Sequence, residues 1–216
     1  LEYYSRALSE WDDTCKLINI YGLASAMSYL HRHNILHRDL KTENILLDHY
    51  LLPKVTDFGL STISSSESTQ SMIFDHSSNF VCGTPIYMSP EIIKEHKYTR
   101  AGDVYSFSLI VYEIMTMTTP FSELHSFIEI IKKVVFDKER PKIDQDVPSA
   151  YRNLIEKCWQ DDPNKRPTFD EIVNLLETDP GFILDSVDQD EFFNYVDYVK
   201  NYQSKFDDSK PQIPVR

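Results

Sequence analysis

Glycine is scarce in this sequence: the 216 residues include five, and no two of them are separated by a single residue. A glycine-rich loop that covers nucleotide phosphates with backbone amides is therefore not encoded here. Cysteine is also rare, and Cys15, Cys82 and Cys158 are far apart and form no CxxC pair. Because this odd number of cysteines gives no disulfide framework, we expect reduced thiols in the cytosol or nucleus, with the cytoplasm as the expected location.

Long hydrophobic runs and excess basic residues are missing as well. The longest apolar stretch, 107–115, is interrupted by Ser108 and Glu113 and is far shorter than the roughly 20 residues of a membrane-spanning helix. We therefore expect no transmembrane helix and no secretory signal. Lysine and arginine number 22 against 34 acidic residues, for a net charge of -12. Since this charge repels phosphate backbones and anionic lipid, neither nucleic acid nor a membrane is expected as a partner.

The residues that are present predict a mainly helical protein. Apolar residues such as Leu17, Ile20 and Ala24 recur at spacings of three and four between residues 12 and 30, which predicts a core helix. Further helices are predicted at 104–115, with Asp103 as its cap, and at 122–135, 149–159 and 168–176. The short runs 45–47 and 51–55 predict a β-hairpin, whereas the polar residues 61–78 predict a long loop.

The predicted hairpin is flanked by a cluster of polar side chains that suits phosphoryl transfer. The sequence HRDLKTEN occupies residues 37–44, and Asp57 follows Asn44 by thirteen residues. Asp39 can orient a hydroxyl and accept its proton, and Lys41 can place its ammonium on a γ-phosphate. Asn44 and Asp57 offer hard oxygen ligands for Mg²⁺ that is held jointly with phosphate oxygens. These are the groups that phosphoryl transfer requires.

The order and spacing of these motifs resemble those of eukaryotic protein kinases. HRDLKTEN resembles the catalytic loop of that family, and DFG at 57–59 resembles its metal-binding motif, with Gly59 allowing a sharp turn. The similarity covers about residues 1–178 and includes GTPIYMSPE at 83–91, DVYSF at 103–107, CW at 158–159 and RPTF at 166–169. It implies a protein-kinase-like fold that is mainly α-helical, with a small β-hairpin carrying the catalytic and metal-binding motifs.

The resemblance also implies roles for individual residues. Asp39, Lys41 and Asn44 take the catalytic positions, and Asn44 and Asp57 take the Mg²⁺ positions. Positions that contact ATP are occupied by Glu43 through its backbone, by Leu46, by Thr56 and by Asp57. Two structural contacts are implied, one between Glu91 and Arg166 and one between Asp103 and the backbone around His37 and Arg38.

Only the C-terminal lobe of such a kinase is expected here. The sequence starts at Leu1 within a helical pattern and contains neither a glycine-rich loop nor a lysine strand, which indicates a fragment. The expected partners are therefore a protein substrate and the missing N-terminal lobe, and the isolated fragment is expected to be inactive. The alternative is a truncated or pseudokinase product that acts as a non-catalytic binding module.

Substrate specificity is predicted less directly. Lys41 and Thr84 resemble the residues of serine/threonine kinases, and DVYSF, CW and RPTF resemble the tyrosine-kinase-like group of those kinases. YMSPE at 87–91 also occurs in dual-specificity kinases, so both specificities stay open. Arg38 is of the kind that receives an activation-loop phosphate, which makes Ser77 or Ser78 a hypothetical activating site.

Residues 179–216 are interpreted as an acidic, aromatic-containing extension. Phe192, Tyr195 and Val199 fall at helical spacing, which predicts an amphipathic helix followed by about ten disordered residues. Its aromatic stripe packs either on its own lobe or on another protein.

Overall fold

The computed structural model of the chain describes residues 2–3, 11–58, 61–63, 85–124 and 126–205. The hypotheses on Gly59, Ser77, Ser78, Cys82 and Thr84 lie outside these residues. The chain divides into two compact units. The first comprises Leu1–His37, Thr42–Ile63 and Thr168–Arg216, and the second comprises Arg38–Lys41 and Ser64–Pro167.

The first unit is built around the predicted core helix, α1, which spans Asp13–Arg32. Asp12 caps its N-terminus, since its carboxylate accepts a hydrogen bond from the backbone N–H of Cys15 at 2.7 Å. Leu17, Ile20 and Ala24 are fully buried, as their spacing predicts. Burial extends beyond that stripe because other elements of the unit, among them two helices close to the C-terminus, also pack against α1.

The predicted hairpin is confirmed and belongs to a three-stranded sheet. Strands β3, Ile45–Leu47, and β4, Pro53–Val55, are antiparallel, with Ile45 opposite Val55. The short strand β1, Glu2–Tyr3, pairs with the other edge of β3. A second pair joins β2, Ile35–Leu36, to β5, Thr62–Ile63. The predicted loop 61–78 therefore begins with a two-residue strand, which is too short to leave a sequence pattern.

Asp48 organises the hairpin turn. Its carboxylate accepts hydrogen bonds from the backbone N–H groups of Tyr50, at 2.9 Å, and Leu52, at 3.1 Å. Partial burial acts to raise the pKa of Asp48, but these two N–H groups and the nearby Lys54 ammonium outweigh it, so the pKa is lowered. The charged form of Asp48 thus stabilises the turn between β3 and β4.

The second unit contains four α-helices in the part of the chain that the structure describes: α2, Pro90–Glu95; α3, Arg100–Thr116; α4, Phe127–Ile131; and α5, Ser149–Cys158. A π-helical turn, Lys132–Phe136, continues α4. The predicted cap of α3 was wrong: Thr99 caps the helix by accepting a hydrogen bond from the N–H of Gly102 at 3.1 Å. Asp103 lies one turn inside the helix because its carboxylate has another partner.

The first unit closes with α6, Phe169–Thr178, and α7, Gln189–Ser204, both of which pack on α1. The aromatic side chains of α7 meet α1 around Tyr21, whose ring lies edge-on to those of Phe192, at 5.7 Å, and Tyr195, at 6.1 Å. The Tyr21 hydroxyl donates to Glu177 of α6 at 2.9 Å. Three helices therefore meet at one tyrosine.

Gly22 is required where α1, β4 and α7 come together. A Cβ at this position would overlap the Tyr195 hydroxyl and lie 2.8 Å from Cγ of Pro53. We expect Gly22→Ala to lower the free energy of unfolding in urea, because overpacking of about 1–3 kcal/mol outweighs the roughly 1 kcal/mol of helix propensity that alanine adds. Gly102→Ala is the matched control, because its nearest neighbour is the movable end of Ile92 at 3.1 Å. A Gly22→Ala protein as stable as the parent would contradict this packing.

Candidate active site

Asn44 and Asp57 flank the same end of the β3–β4 hairpin. A 3₁₀ turn, Thr42–Asn44, leads directly into β3. Beyond the last strand pair, the backbone N–H of Thr56 donates to the carbonyl of Asn44 at 2.9 Å, and the Thr56 hydroxyl donates to the same carbonyl at 3.1 Å. The Asn44 side chain is buried and the Asp57 side chain is exposed. The hairpin thus holds the backbone of Asn44 beside the residue that precedes Asp57.

The two neighbours of Asp57 are held by His37. The imidazole Nε2 of His37, which is completely buried, donates to the backbone carbonyl of Thr56 at 3.0 Å. The ring of Phe58 lies 5.5 Å from the His37 ring. Asp57 itself has a left-handed backbone, with φ of 58°. Because aspartate tolerates this region better than most residues, the conformation requires little strain here.

Asp39 and Lys41 form an ion pair in the second unit. The Lys41 ammonium lies 3.1 Å from Oδ2 of Asp39, and the two side chains are 18% and 17% exposed. Both charges are therefore partly shielded from water while a fraction of each side chain stays accessible. A carboxylate and an ammonium in contact are suited to receive a hydroxyl group and a phosphate oxygen, respectively.

The backbone before Asp39 is fixed by Asp103 of α3. The N–H of Arg38 donates to Oδ1 of Asp103 at 2.9 Å, which confirms the part of the implied contact that concerns Arg38. Arg38 has a left-handed φ of 70°, and its guanidinium lies over the ring of Tyr98, 5.2 Å from the ring centre. Burial lowers the pKa of Arg38. The contact to Asp103 explains why this carboxylate does not cap α3.

The seven residues singled out from the sequence fall into two sets. Asp39 and Lys41 belong to the second unit, and the other five belong to the first. Of the five, Glu43 is exposed on the 3₁₀ turn, and Leu46 and Thr56 are half-buried on the hairpin. Asn44 and Asp57 are at the end of the hairpin, as described above.

The implied pair between Glu91 and Arg166 is present and buried. The guanidinium binds the carboxylate in a bidentate manner, with N–O distances of 2.6 and 2.9 Å. Arg166 also donates to the backbone carbonyls of Ala101 and Gln160, each at 2.8 Å. One arginine therefore connects α2, the start of α3 and the segment after α5.

Tyr105 belongs to the same cluster and was not recognised from the sequence. Its ring is completely buried between the guanidinium groups of Arg140 and Arg166, which lie 5.3 and 5.2 Å from the ring centre. Burial raises the pKa of Tyr105 to about 12. Its hydroxyl has no hydrogen-bond partner within the described ranges. Because both arginines are distant in sequence, no local pattern indicates this stacking.

We expect Tyr105→Phe to leave the free energy of unfolding unchanged or to raise it, since a buried polar group without a partner costs about 1–3 kcal/mol. Tyr105→Leu is the control, because it removes the ring that both guanidinium groups contact and should destabilise the protein. Urea unfolding of both variants checks this. A loss of stability in Tyr105→Phe comparable to that in Tyr105→Leu would show that the hydroxyl has a partner.

Over the described ranges, no group of three or more His, Cys, Asp or Glu side chains is arranged to hold a metal ion. Mg²⁺ does not need such a group, since it keeps several waters and binds one or two carboxylates together with substrate phosphates. The oxygen donors of Asn44 and Asp57 suit that chemistry. None of the helices that the structure describes is long and apolar enough to cross a membrane.

Comparison with known proteins identifies the family. The model of the protein kinase domain matches residues 3–176. The chain belongs to the protein kinase family. Its mainly helical fold with a small antiparallel hairpin agrees with this assignment, and kinases of this family generally use ATP and Mg²⁺.

Relatives with assigned names are kinases of two specificities. The chain is 43% identical over 159 residues to the dual specificity protein kinase pyk3 of Dictyostelium discoideum, covering 74% of this chain and 11% of that protein. It is 38% identical over 156 residues to the dual specificity protein kinase shkC of the same organism, covering 71% and 30%. It is also 38% identical over 157 residues to the RGS domain-containing serine/threonine-protein kinase A, again from Dictyostelium discoideum, covering 73% and 13%. The chain thus spans less than a third of the length of each of these relatives.

Proposed function

We propose that this chain is the C-terminal lobe of a protein kinase that, joined to an N-terminal lobe, transfers the γ-phosphate of ATP to serine and threonine hydroxyls of protein substrates. The observation that carries the proposal is the end of the hairpin, where the N–H and hydroxyl of Thr56 both bind the carbonyl of Asn44. This contact ties the catalytic-loop motif to the residue just before Asp57. Two motifs that are thirteen residues apart therefore act as one local structure.

In the proposed reaction, Asp39 orients the substrate hydroxyl and accepts its proton as the oxygen bonds to the γ-phosphorus, while the bond from that phosphorus to the oxygen of the β-phosphate breaks and ADP leaves. Lys41, in contact with Asp39 at 3.1 Å, balances charge on the transferred phosphoryl group. Both residues follow Arg38, whose backbone is bound by Asp103. Positioning of this loop by a buried aspartate supports its catalytic assignment.

Asn44 and Asp57 are proposed to hold Mg²⁺, and the bound ion would neutralise charge on the phosphates of ATP. Asn44 is buried and its backbone carbonyl is bound by Thr56, which supports a fixed position for this residue at the end of the hairpin. The exposed Asp57 carboxylate is accessible to a cation from solvent. We further assign the ribose contact to the backbone of Glu43 and the adenine contacts to Leu46 and Thr56.

The proposed acceptors are serine and threonine hydroxyls, and the proposed location is the cytoplasm. Lys41 supports serine/threonine specificity, whereas the dual-specificity relatives make tyrosine a further acceptor to test. Membership of the tyrosine-kinase-like group rests on DVYSF, CW and RPTF.

A cytoplasmic location is supported by Cys15 and Cys158, which are free thiols; burial raises the pKa of both and keeps them protonated.

Transfer of radiolabelled phosphate from ATP to a general substrate such as myelin basic protein tests the proposal. We expect the 216-residue chain alone to show no transfer, and the longer product of its reading frame, containing an N-terminal lobe, to be active. Phosphoamino-acid analysis of the product then separates serine/threonine from dual specificity. Asp39→Asn is the control for contaminating kinases. A folded longer product without activity would favour a non-catalytic binding module, and activity of the chain alone that Asp39→Asn abolishes would refute the need for a second lobe.

A further inference from the structure

Arg38 is held in an arrangement that neither its backbone nor its side chain would adopt unaided. Its φ of 70° lies in the left-handed region, which residues other than glycine rarely occupy. The Nε of its guanidinium is buried and has no hydrogen-bond partner among the residues that the structure describes. A buried donor without a partner is unfavourable, and so is the loss of water around a charge. Contacts from elsewhere in the second unit must therefore keep Arg38 in this position.

Two contacts with Arg38 come from the N-terminal end of α3. The carboxylate of Asp103 accepts the backbone N–H of Arg38 at 2.9 Å, and the guanidinium carbon lies 5.2 Å from the ring centre of Tyr98. Tyr98 directly precedes Thr99, the cap of α3, whose hydroxyl and carbonyl oxygens both accept the N–H of Gly102. The capped start of α3 therefore engages Arg38 twice, through Tyr98 on its side chain and through Asp103 on its backbone.

Tyr98 and Asp103 both stabilise the charge of Arg38. Burial lowers the pKa of Arg38, whereas Tyr98 and Asp103 act to raise it. Without the ring, the attraction of Asp103 would remain, and the guanidinium would turn toward that carboxylate. It would then compete with the Arg38 backbone N–H for the same oxygen atoms. The ring of Tyr98 thus leaves Asp103 available to the backbone that leads into Asp39.

We propose that Tyr98 is a positioning residue of the catalytic loop: its aromatic face holds the guanidinium of Arg38, so that Asp103 stays bound to the backbone and Asp39 keeps its orientation. The ring carries this role and the hydroxyl does not, because a cation is attracted to the face of a phenylalanine ring as well as to that of a tyrosine ring. Phenylalanine should therefore replace Tyr98, whereas an aliphatic residue should not. The effect on Asp39 rests on the proposed kinase function, and the contact with Arg38 does not.

Nuclear magnetic resonance of the complete 216-residue chain tests the contact without reference to activity. In the parent, the Nε–H signal of Arg38, assigned by its loss in Arg38→Lys, should show the upfield shift of a proton above an aromatic face. We expect Tyr98→Leu to abolish this shift. We also expect it to speed hydrogen exchange of the Arg38 backbone amide about tenfold or more, because the bond to Asp103 opens more often. Tyr98→Phe should preserve the shift and the slow exchange.

Two further measurements make this test specific. Tyr98→Met fills more of the same space without a ring and should behave as Tyr98→Leu does, so the test does not depend on the folding of one variant. The amide of Gly102, which is bound to Thr99 in the same cap, is the internal control and should exchange as in the parent. Unchanged exchange of the Arg38 amide in either folded variant, or equal acceleration at Gly102, would overturn the proposal.

Steady-state kinetics of the longer product, with its N-terminal lobe, test the consequence for Asp39. Tyr98→Leu should lower kcat about tenfold or more with little change in KM for ATP, because misplacement of a catalytic group slows the chemical step. Tyr98→Phe should retain the parent kcat, as should Tyr50→Leu, which alters an exposed tyrosine of the hairpin turn. A parent-like kcat in Tyr98→Leu, or an equal loss in Tyr98→Phe, would refute the positioning role. An inactive longer product would refute the proposed function instead, and the exchange of the Arg38 amide would still decide whether Tyr98 holds this residue.

Discussion

Asp57→Asn is expected to reduce the turnover of the complete kinase about a thousandfold or more, because in its proposed role the carboxylate would hold a metal ion that supplies several kcal/mol of charge stabilisation. The substitution is expected to leave the backbone conformation at this position unchanged. Asp57 has a φ of 58°, a region that asparagine also adopts readily, and its side chain is exposed. The contacts of His37 with the backbone carbonyl of Thr56 and with the ring of Phe58 do not involve the carboxylate. A loss of activity without a loss of thermal stability would therefore report on chemistry and not on folding.

The measurement is kcat at saturating ATP over a range of Mg²⁺ concentrations, with thermal unfolding of each variant as the check on folding. Asp39→Asn provides the comparison: it should cost at least the roughly hundredfold that a positioned base contributes, with no change in the dependence on Mg²⁺. If Asp57→Asn retained kcat within a few-fold of the parent at every Mg²⁺ concentration, its proposed metal role would be wrong.

The fold around these residues could be predicted from sequence where the signals are local. Apolar spacing and the Asp12 cap predict the core helix, and two short apolar runs around a polar turn predict the hairpin. The cap of α3 could not be predicted, because Thr99 and Asp103 are both good caps. The choice depends on Arg38, which engages Asp103 from sixty-five residues earlier.

Within the site, too, contacts between residues that are distant in sequence could not be predicted. Motifs predict which residues take part, but the left-handed backbone of Asp57 is held by a histidine twenty residues earlier, through contacts to its two neighbours. Tyr105 lies in a helix whose pattern indicates only burial, and its stacking between two arginines depends on their tertiary positions. The close packing of Tyr195 and Pro53 against Gly22 could not be predicted either, because both residues are distant from Gly22 in sequence.

Removal of Arg166 is expected to have the largest effect on stability. Arg166→Met leaves the carboxylate of Glu91 buried without its bidentate partner, which typically costs about 3–5 kcal/mol. It also removes the donors to the carbonyls of Ala101 and Gln160. Glu91→Gln keeps one acceptor for Arg166 and leaves those two bonds intact, so it should destabilise the protein less. The order of the two effects follows from the number of partners that each side chain has.

Urea unfolding at neutral pH measures both variants against an exposed pair in the same protein. Arg32 lies 3.0 Å from Asp170, with both side chains more than half exposed, so Arg32→Met should change the free energy of unfolding by about 1 kcal/mol or less. The double variant Glu91→Leu with Arg166→Met removes both charges together and should recover part of the loss, because no buried charge then lacks a partner. If Arg166→Met behaved like Arg32→Met, the buried pair would contribute little, and the connection between α2 and the segment after α5 would rest on apolar packing instead.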